Sequence, residues 1–391
     1  TGVYRSLGRP SPAGRPAPPQ SLLLQAVLSQ NEIILMKHPA LRLAAVAGLA
    51  TLLVATAAPG RRFTDVLDQP ATISPLGAQR VLQASAIAGH RMIAAGARGH
   101  IVYSDDQGTS WHQAKVPVSA DLTALYFADA RQGWAVGHEG VVLHTGDGGA
   151  SWQLQLDGRR ANALVLEHVK NLPADTDPAV LESLKAEAER AAAEGPSRPF
   201  LDVWFANERE GYVVGAYNLI FHTIDGGKTW EPWVDRTQNE RFYHLYGIRG
   251  SSDGVYMVGE LGLALRLDPA SGRFTALQTP YEGSYFGLLT KPGLVLAYGL
   301  RGTAYRSLDG GKNWELVDTG ITTSITASSA TPDGRLLLCS MAGDVLVSDD
   351  NGAHFRRLSL KAAMPCTGLA VSGDALVLSG LRGVRVVRPE L

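Results

Sequence analysis

Three arginines, two glutamates and two tyrosines stand at recurring points of this sequence, and their side chains suit two kinds of chemistry. Arg98, Arg301 and Arg382 each occupy a Gly-x-Arg-Gly turn. Glu139 and Glu260 occupy the related turns Gly137-His138-Glu139-Gly140 and Gly259-Glu260-Leu261-Gly262, and Tyr217 sits in Gly215-Ala216-Tyr217-Asn218. Tyr285 ends the link Tyr281-Glu282-Gly283-Ser284-Tyr285. Guanidinium forks clamp carboxylates and other anions, and tyrosines anchor interfaces. These seven residues are therefore candidates for binding a partner. Carboxylates beside arginine and tyrosine could instead cleave a glycan. The same charges could also pair with one another in solvent and contribute little. The sequence shows no metal-ligand cluster, phosphate loop or nucleophile elbow, so no metal, cofactor or catalytic residue is assigned.

The turns belong to a unit that repeats about every 41 residues. Five of the seven units couple a Gly-x-x-Gly turn to a second signature, Ser/Thr-x-Asp-x-Gly-x-x-aromatic; the fourth keeps only Asp268, Gly272 and Phe274 of it, and the seventh breaks off before it. Its Asp and aromatic positions are Asp106 and Trp111, Asp147 and Trp152, Asp225 and Trp230, Asp309 and Trp314, and Asp350 and Phe355. There are seven turns, of which Gly215-Ala216-Tyr217-Asn218 and Ser340-Met341-Ala342-Gly343 are imperfect. Residues 122–127, 133–137, 141–144 and 151–155 read as four short strands of one unit, bounded by Gly, Asp or Asn. Seven such units predict an all-β, seven-bladed β-propeller of four-stranded antiparallel blades. The Asp signature falls between strands three and four. Its Asp can accept turn N–H groups, its Gly can take left-handed backbone, and its aromatic can pack between blades. That role is structural. Alternating strand direction sends the Asp signatures to one face of the disc and the Gly-x-x-Gly turns to the other. The seventh unit shows only three strands, and 63–76 is the expected fourth that closes the ring.

Residues 160–199 interrupt the repeat between blades two and three. Asp177-Pro178 predicts a helix start, Gly195-Pro196 a stop, and 162–170 a shorter helix. The insertion reads either as decoration on a blade edge or as a docking arm. The composition, 45% hydrophobic with 43 Gly and a net charge of −1, fits a turn-rich globular domain with no general nucleic-acid affinity. Met36 precedes Lys37 and Arg42, an apolar run over 43–54, and Ala55-Thr56-Ala57. This predicts a signal peptide over 36–58 and a periplasmic propeller over 63–391, expected as a monomer. Residues 1–35 are Pro- and Arg-rich and read as a non-native or upstream-translated disordered segment. Cys339 and Cys366 fall at the same end of blades six and seven. A disulfide and two buried thiols are both open readings.

The ordered pair of signatures, with blade segments such as Gly133-Trp134-Ala135-Val136-Gly137 and Gly211-Tyr212-Val213-Val214-Gly215, resembles the photosystem II stability/assembly-factor propeller family with its Asp-box (BNR) repeats. The resemblance covers about 63–387. It implies a non-catalytic assembly factor that binds a membrane protein, or its extracytoplasmic segment, through an arginine patch, and it places Arg98, Arg301 and Arg382 in turns of that type. The family also raises an accessory role beside exporters of the resistance–nodulation–division type. The helical insertion departs from the photosynthetic pattern. A glycan-binding or sialidase-like hydrolase propeller is the alternative, since sialidases share the Asp signature. The Arg-Ile-Pro motif that sialidases carry is missing here.

Overall fold

A computed structural model of the chain describes residues 64–360 and 364–390. The signal peptide over 36–58 and the segment 1–35 lie outside the described residues. Residues 64 onward form seven antiparallel sheets in chain order, six of four strands and the seventh of three. The first strands are Leu82–Ala88, Leu122–Phe127, Phe200–Phe205, Leu245–Ser251, Tyr285–Lys291, Ile325–Ala330 and Cys366–Ser372. Each packs on the first strands of its two neighbours, and the last packs on the first to close a ring. The propeller has its axis among these inner strands.

Large apolar side chains fill the spaces between blades. Trp134 of blade two is fully buried and stacks on Phe205 of blade three, with ring centroids 3.5 Å apart. The Asp-signature tryptophans Trp152 and Trp230 are buried in the same layer and meet Phe127 and Phe205 edge-on. Nearer the axis there is no room for such groups. A Cβ on Gly368 would lie 2.8 Å from the Ala84 Cα of blade one. One on Gly247 would lie 3.0 Å from the Gly287 Cα of blade five.

The ring closes differently from the sequence expectation. Residues 64–76 do not add a fourth strand to blade seven. They run beside blade one, where Ala71 N–H donates to Val116 O (3.0 Å) and Val66 O accepts from Ser119 N–H (2.8 Å). Pro70 and Pro75 remove two of the donors that a ladder needs. The seam is held by packing and side chains. Thr367 Oγ1 of blade seven donates to Leu82 O of blade one (3.0 Å), and Arg388 reaches Gln107 (3.0 Å). The turn Gly77–Gln79 covers Gly383 so closely that a Cβ there would meet Ala78 O at 2.0 Å.

The insertion folds as two helices, α1 (Gly158–Lys170) and α2 (Pro178–Glu194). Asp177 caps α2 by accepting from Ala179 N–H (2.8 Å), and Gly195, at φ 77°, ends it. The first helix begins four residues before the sequence expectation, because Asp157 caps it through Arg160 N–H (2.9 Å). Val165, Val169, Leu184 and Ala188 bury against the core of blades two and three. Cys339 and Cys366 are free thiols, both buried in the contact between blades six and seven. Hydrogen bonding with Cys339, and then burial, push the Cys366 thiol well above its ordinary range.

Crowding at the seam predicts the effect of one methyl group. Gly368→Ala is expected to cost about 1–3 kcal/mol in urea unfolding, whereas a neutral result would mean that blades one and seven can separate locally.

Candidate functional site

In five of the seven blades the Gly-x-x-Gly segment makes a tight turn from strand two to strand three with positive φ at its third and fourth residues. The third residue is not glycine in any of these: Arg98 (φ 57°), Glu139 (56°), Tyr217 (54°), Leu261 (50°) and Arg301 (58°). This backbone costs an L-residue about 1–2 kcal/mol. The strain persists because the turn is pinned on both sides. The preceding residue's N–H donates to the carbonyl just before the blade's own first strand, as in His138 to Asp121 (2.8 Å) and Leu300 to Ser284 (3.1 Å). The strained residue's own N–H is in three cases held by the residue before the next blade's first strand. Arg98 donates to Asp121 Oδ1 (2.7 Å), Tyr217 to His244 Nδ1 (3.1 Å) and Arg301 to Ser324 Oγ (3.4 Å). Residues held this way over-determine a strained backbone, a pattern that clusters at functional sites.

Arg98, Arg301 and Arg382 are exposed on blades one, five and seven, and none makes a side-chain hydrogen bond or ion pair among the described residues. The charged turns therefore differ from other arginines of the propeller, such as Arg91, Arg159 and Arg306, each of which pairs with a carboxylate. Exposed apolar side chains share the face on consecutive blades: Leu261, Leu300, Met341 and Leu381. Tyr217 is half-exposed, with Arg198 and Arg190 of the insertion over its ring at 4.8 and 5.5 Å. Glu260 is committed to the fold, accepting from His244 N–H (2.9 Å). Burial, and then the charge of Asp65, push the Glu139 carboxyl upward.

Tyr285 does not belong to this face. It is fully buried and packs against Tyr281 and Tyr305. It is the first residue of its blade's inner strand, the position held by Leu82, Leu122, Phe200 and Leu245 in other blades, all fully buried. Alignment of the repeats alone would have shown this.

A second feature escaped the reading of the sequence. In every blade the pairing of strands one and two slips by one residue next to the start of strand one. The bulged residues are Gln83, Thr123, Leu201, Tyr246, Phe286, Thr326 and Thr367, and all seven line an axial cavity of about 130 Å³. Bulges re-aim side chains and gather near working sites. The three threonines also lock blades together, as when Thr123 Oγ1 donates to Phe200 O (2.8 Å) and Thr326 Oγ1 to Cys366 O (2.6 Å).

On the opposite face the Asp signatures act as struts. Asp106 Oδ1 accepts from Ser104 Oγ (2.8 Å) and Ser110 N–H (2.8 Å), and Asp309 accepts from Asn313 N–H (2.9 Å) and Ser307 Oγ (2.8 Å). The Ser110 hydroxyl also donates to Asp106 Oδ2 (2.6 Å), and with the Ser110 N–H and Ser104 it lowers that carboxyl to about 2, as the Asn313 N–H, its side-chain amide and Ser307 do for Asp309. Asp147, Asp225 and Asp350 repeat the pattern. No group of three or more His, Cys, Asp or Glu suited to a metal occurs among the described residues.

The model of the family described as photosynthesis system II assembly factor YCF48 matches residues 103–170 and 193–357. The chain belongs to this family. The unmatched gap, 171–192, contains most of α2, whereas α1 lies within the matched residues. The photosystem II assembly lipoprotein Ycf48 of Prochlorococcus marinus is 31% identical over 154 residues, 38% of this chain and 45% of its own length. That of a Synechococcus species is 25% identical over 156 residues, 39% of this chain and 46% of its own. The chain thus spans just under half the length of the curated relatives it matches. Among solved structures, YCF48 bound to D1 peptide superposes with a TM-score of 0.56 at 17% identity, over 83% of this chain and 98% of its own. YCF48 from Cyanidioschyzon merolae gives 0.57 at 14%, over 80% and 96%. The computationally designed Ika8 protein gives 0.52 at 14%, over 79% and 96%, so likeness at this level shows the fold alone. No helix among the described residues is long and apolar enough to cross a membrane.

The turns and the struts each have a measurable consequence. Arg301→Gly, and likewise Arg98→Gly, should raise stability by about 0.5–1 kcal/mol in urea unfolding, since glycine carries no left-handed penalty. A loss of stability would show that the side chain holds the turn. The aspartates' folded values lie below the unfolded value of about 3.9, so their stabilisation is present above about pH 4 and lost as pH falls toward 2. Acid unfolding of the native chain should therefore steepen over that window, and Asp106→Asn with Asp309→Asn should flatten it.

Proposed function

We propose that this propeller is a non-catalytic scaffold of the periplasm whose Gly-x-x-Gly face engages an extracytoplasmic segment of a membrane protein or complex. The observation that carries the reading is the set of three guanidinium groups with no ion pair among the described residues, two of them on strained, pinned turns, on one face with exposed leucines and a methionine. A protein gains no stability from that arrangement. It is suited to a partner that supplies carboxylates and apolar side chains. The family adds support, since one solved relative is described as bound to a D1 peptide. Photosystem II is the partner class in a photosynthetic host, and an exporter of the resistance–nodulation–division type in another. Catalysis of glycan hydrolysis finds less support, because Glu260 is held by a backbone N–H and Tyr285 is buried.

The test is a pull-down from solubilised membranes with the native chain and with an Arg98→Glu, Arg301→Glu, Arg382→Glu variant shown to fold equally well. The native chain should enrich a membrane protein about tenfold or more over the variant, a difference of about 1.4 kcal/mol. Equal enrichment would put the contact elsewhere on the propeller.

A further inference from the structure

The axial cavity holds an unusual pair of charges. The third residue of each inner strand faces the crowded axis and is Ala or Gly in six blades, as in Ala84, Gly287 and Gly368. Blade three has Asp202 there, paired with Arg249 of blade four. No other charged side chain among the described residues lines the cavity. The pair is not simply a latch. Asp202 is already satisfied by Val203 and Ile248 N–H groups at 2.9 Å each, and Arg249 uses one nitrogen, Nη1, for both Asp202 and the Ile248 carbonyl. Its Nε and Nη2 donate to nothing among the described residues, and about a third of the side chain (35%) is exposed to the cavity. Buried ion pairs contribute little net stability, so an open guanidinium edge in a cavity needs another explanation.

The surroundings of that edge suit one kind of ligand. Tyr298 and Ser328 line the same cavity as Arg249. The two hydroxyls face each other within hydrogen-bonding reach. At the mouth, the bulged Tyr246 and Phe286 meet edge to face with centroids 5.8 Å apart. Both are partly exposed. The geometry points to a carboxylate-binding site on the propeller axis, with the Nε/Nη2 edge of Arg249 as the fork, the Tyr298 and Ser328 hydroxyls as further donors, and the Tyr246–Phe286 pair receiving an adjoining apolar group. Two parallel N–H donors matched to two oxygens are the geometry in which arginine takes a carboxylate. A peptide's C-terminus and a small free dicarboxylate share this chemistry. The aromatic mouth and the narrow cavity favour a chain end, because a helix about 10–12 Å across cannot enter. This deepens the proposed function, on which it rests, by giving the partner segment a free end, yet it uses none of the arginines of the outer face.

Ligand-observed saturation-transfer NMR on the full chain separates the possibilities, with acetyl-Phe-Ala, its C-terminal amide and succinate as probes. The free acid should bind, and the amide should bind about tenfold more weakly. Arg249→Met combined with Asp202→Asn, which leaves no buried charge unpaired, should abolish binding of the acid. Tyr298→Phe with Ser328→Ala should weaken it severalfold and serves if the first variant does not fold. The Arg98→Glu, Arg301→Glu, Arg382→Glu variant should bind the acid like the native chain, so loss of the outer face and loss of the axial site are told apart. Succinate binding as well as acetyl-Phe-Ala would keep the carboxylate site and assign it to free dicarboxylates. Equal binding of acid and amide, or binding of none of the three probes, would overturn the site.

Discussion

Seven sheets that share one axis cannot all bring large side chains to it, and this crowding governs the rest of the molecule. Where the inner strands converge, backbone atoms of neighbouring blades approach within van der Waals contact of an imagined Cβ. Each inner strand answers with a buried anchor, a one-residue slip, and then a small residue in six blades of seven. The slip turns one side chain per blade toward the cavity mouth, and the three threonine hydroxyls among them bond the next blade's carbonyl. Ring closure and the axial cavity are thus consequences of the same constraint. It also fits a seventh blade that has three strands among the described residues. The outer strand of a blade contributes little to contacts between blades, whereas the inner strands carry them.

The two faces divide the labour. On one, each aspartate strut satisfies the donors of its own turn and needs nothing from outside, so its polar groups are used up within the fold. On the other, backbone bonds fix the turns while the side chains of Arg98, Arg301 and Arg382 make no hydrogen bond or ion pair among the described residues. Strain is accepted at Arg98, Glu139, Tyr217, Leu261 and Arg301 where glycine would serve the backbone better. A surface of this kind is pre-organised, since little of it must be ordered when a partner arrives. The insertion extends the same face, with its arginines over the Tyr217 ring and its helices buried against blades two and three.

Much of this was legible in the residues. The period and the paired signatures carried the blade count, the strand order and the assignment of turns to faces, because each signature is a local turn requirement. The start of α2 was legible in Asp177-Pro178 for the same reason. Features set by contacts between distant residues were not. Tyr285 reads as a link residue until its strand places it at the buried anchor position. Residues 64–76 read as a closing strand, but Pro70 and Pro75 argue otherwise and their true partners lie in blade one. Asp202 and Arg249 lie 47 residues apart, in different units, and only the ring brings them together. The bulges leave no mark in a single unit, although stacking all seven units would have exposed the small residue that follows each one.

The most direct test of the central claim, that the Gly-x-x-Gly face meets the partner, is photocrosslinking in intact membranes from two positions on one blade. A photoreactive residue replaces Arg301 on that face, or Lys312, exposed in the Asp signature of the same blade on the other face. The account predicts a crosslink to a membrane protein from position 301 and none from 312. A crosslink from 312 alone, or from both with equal yield, would contradict it.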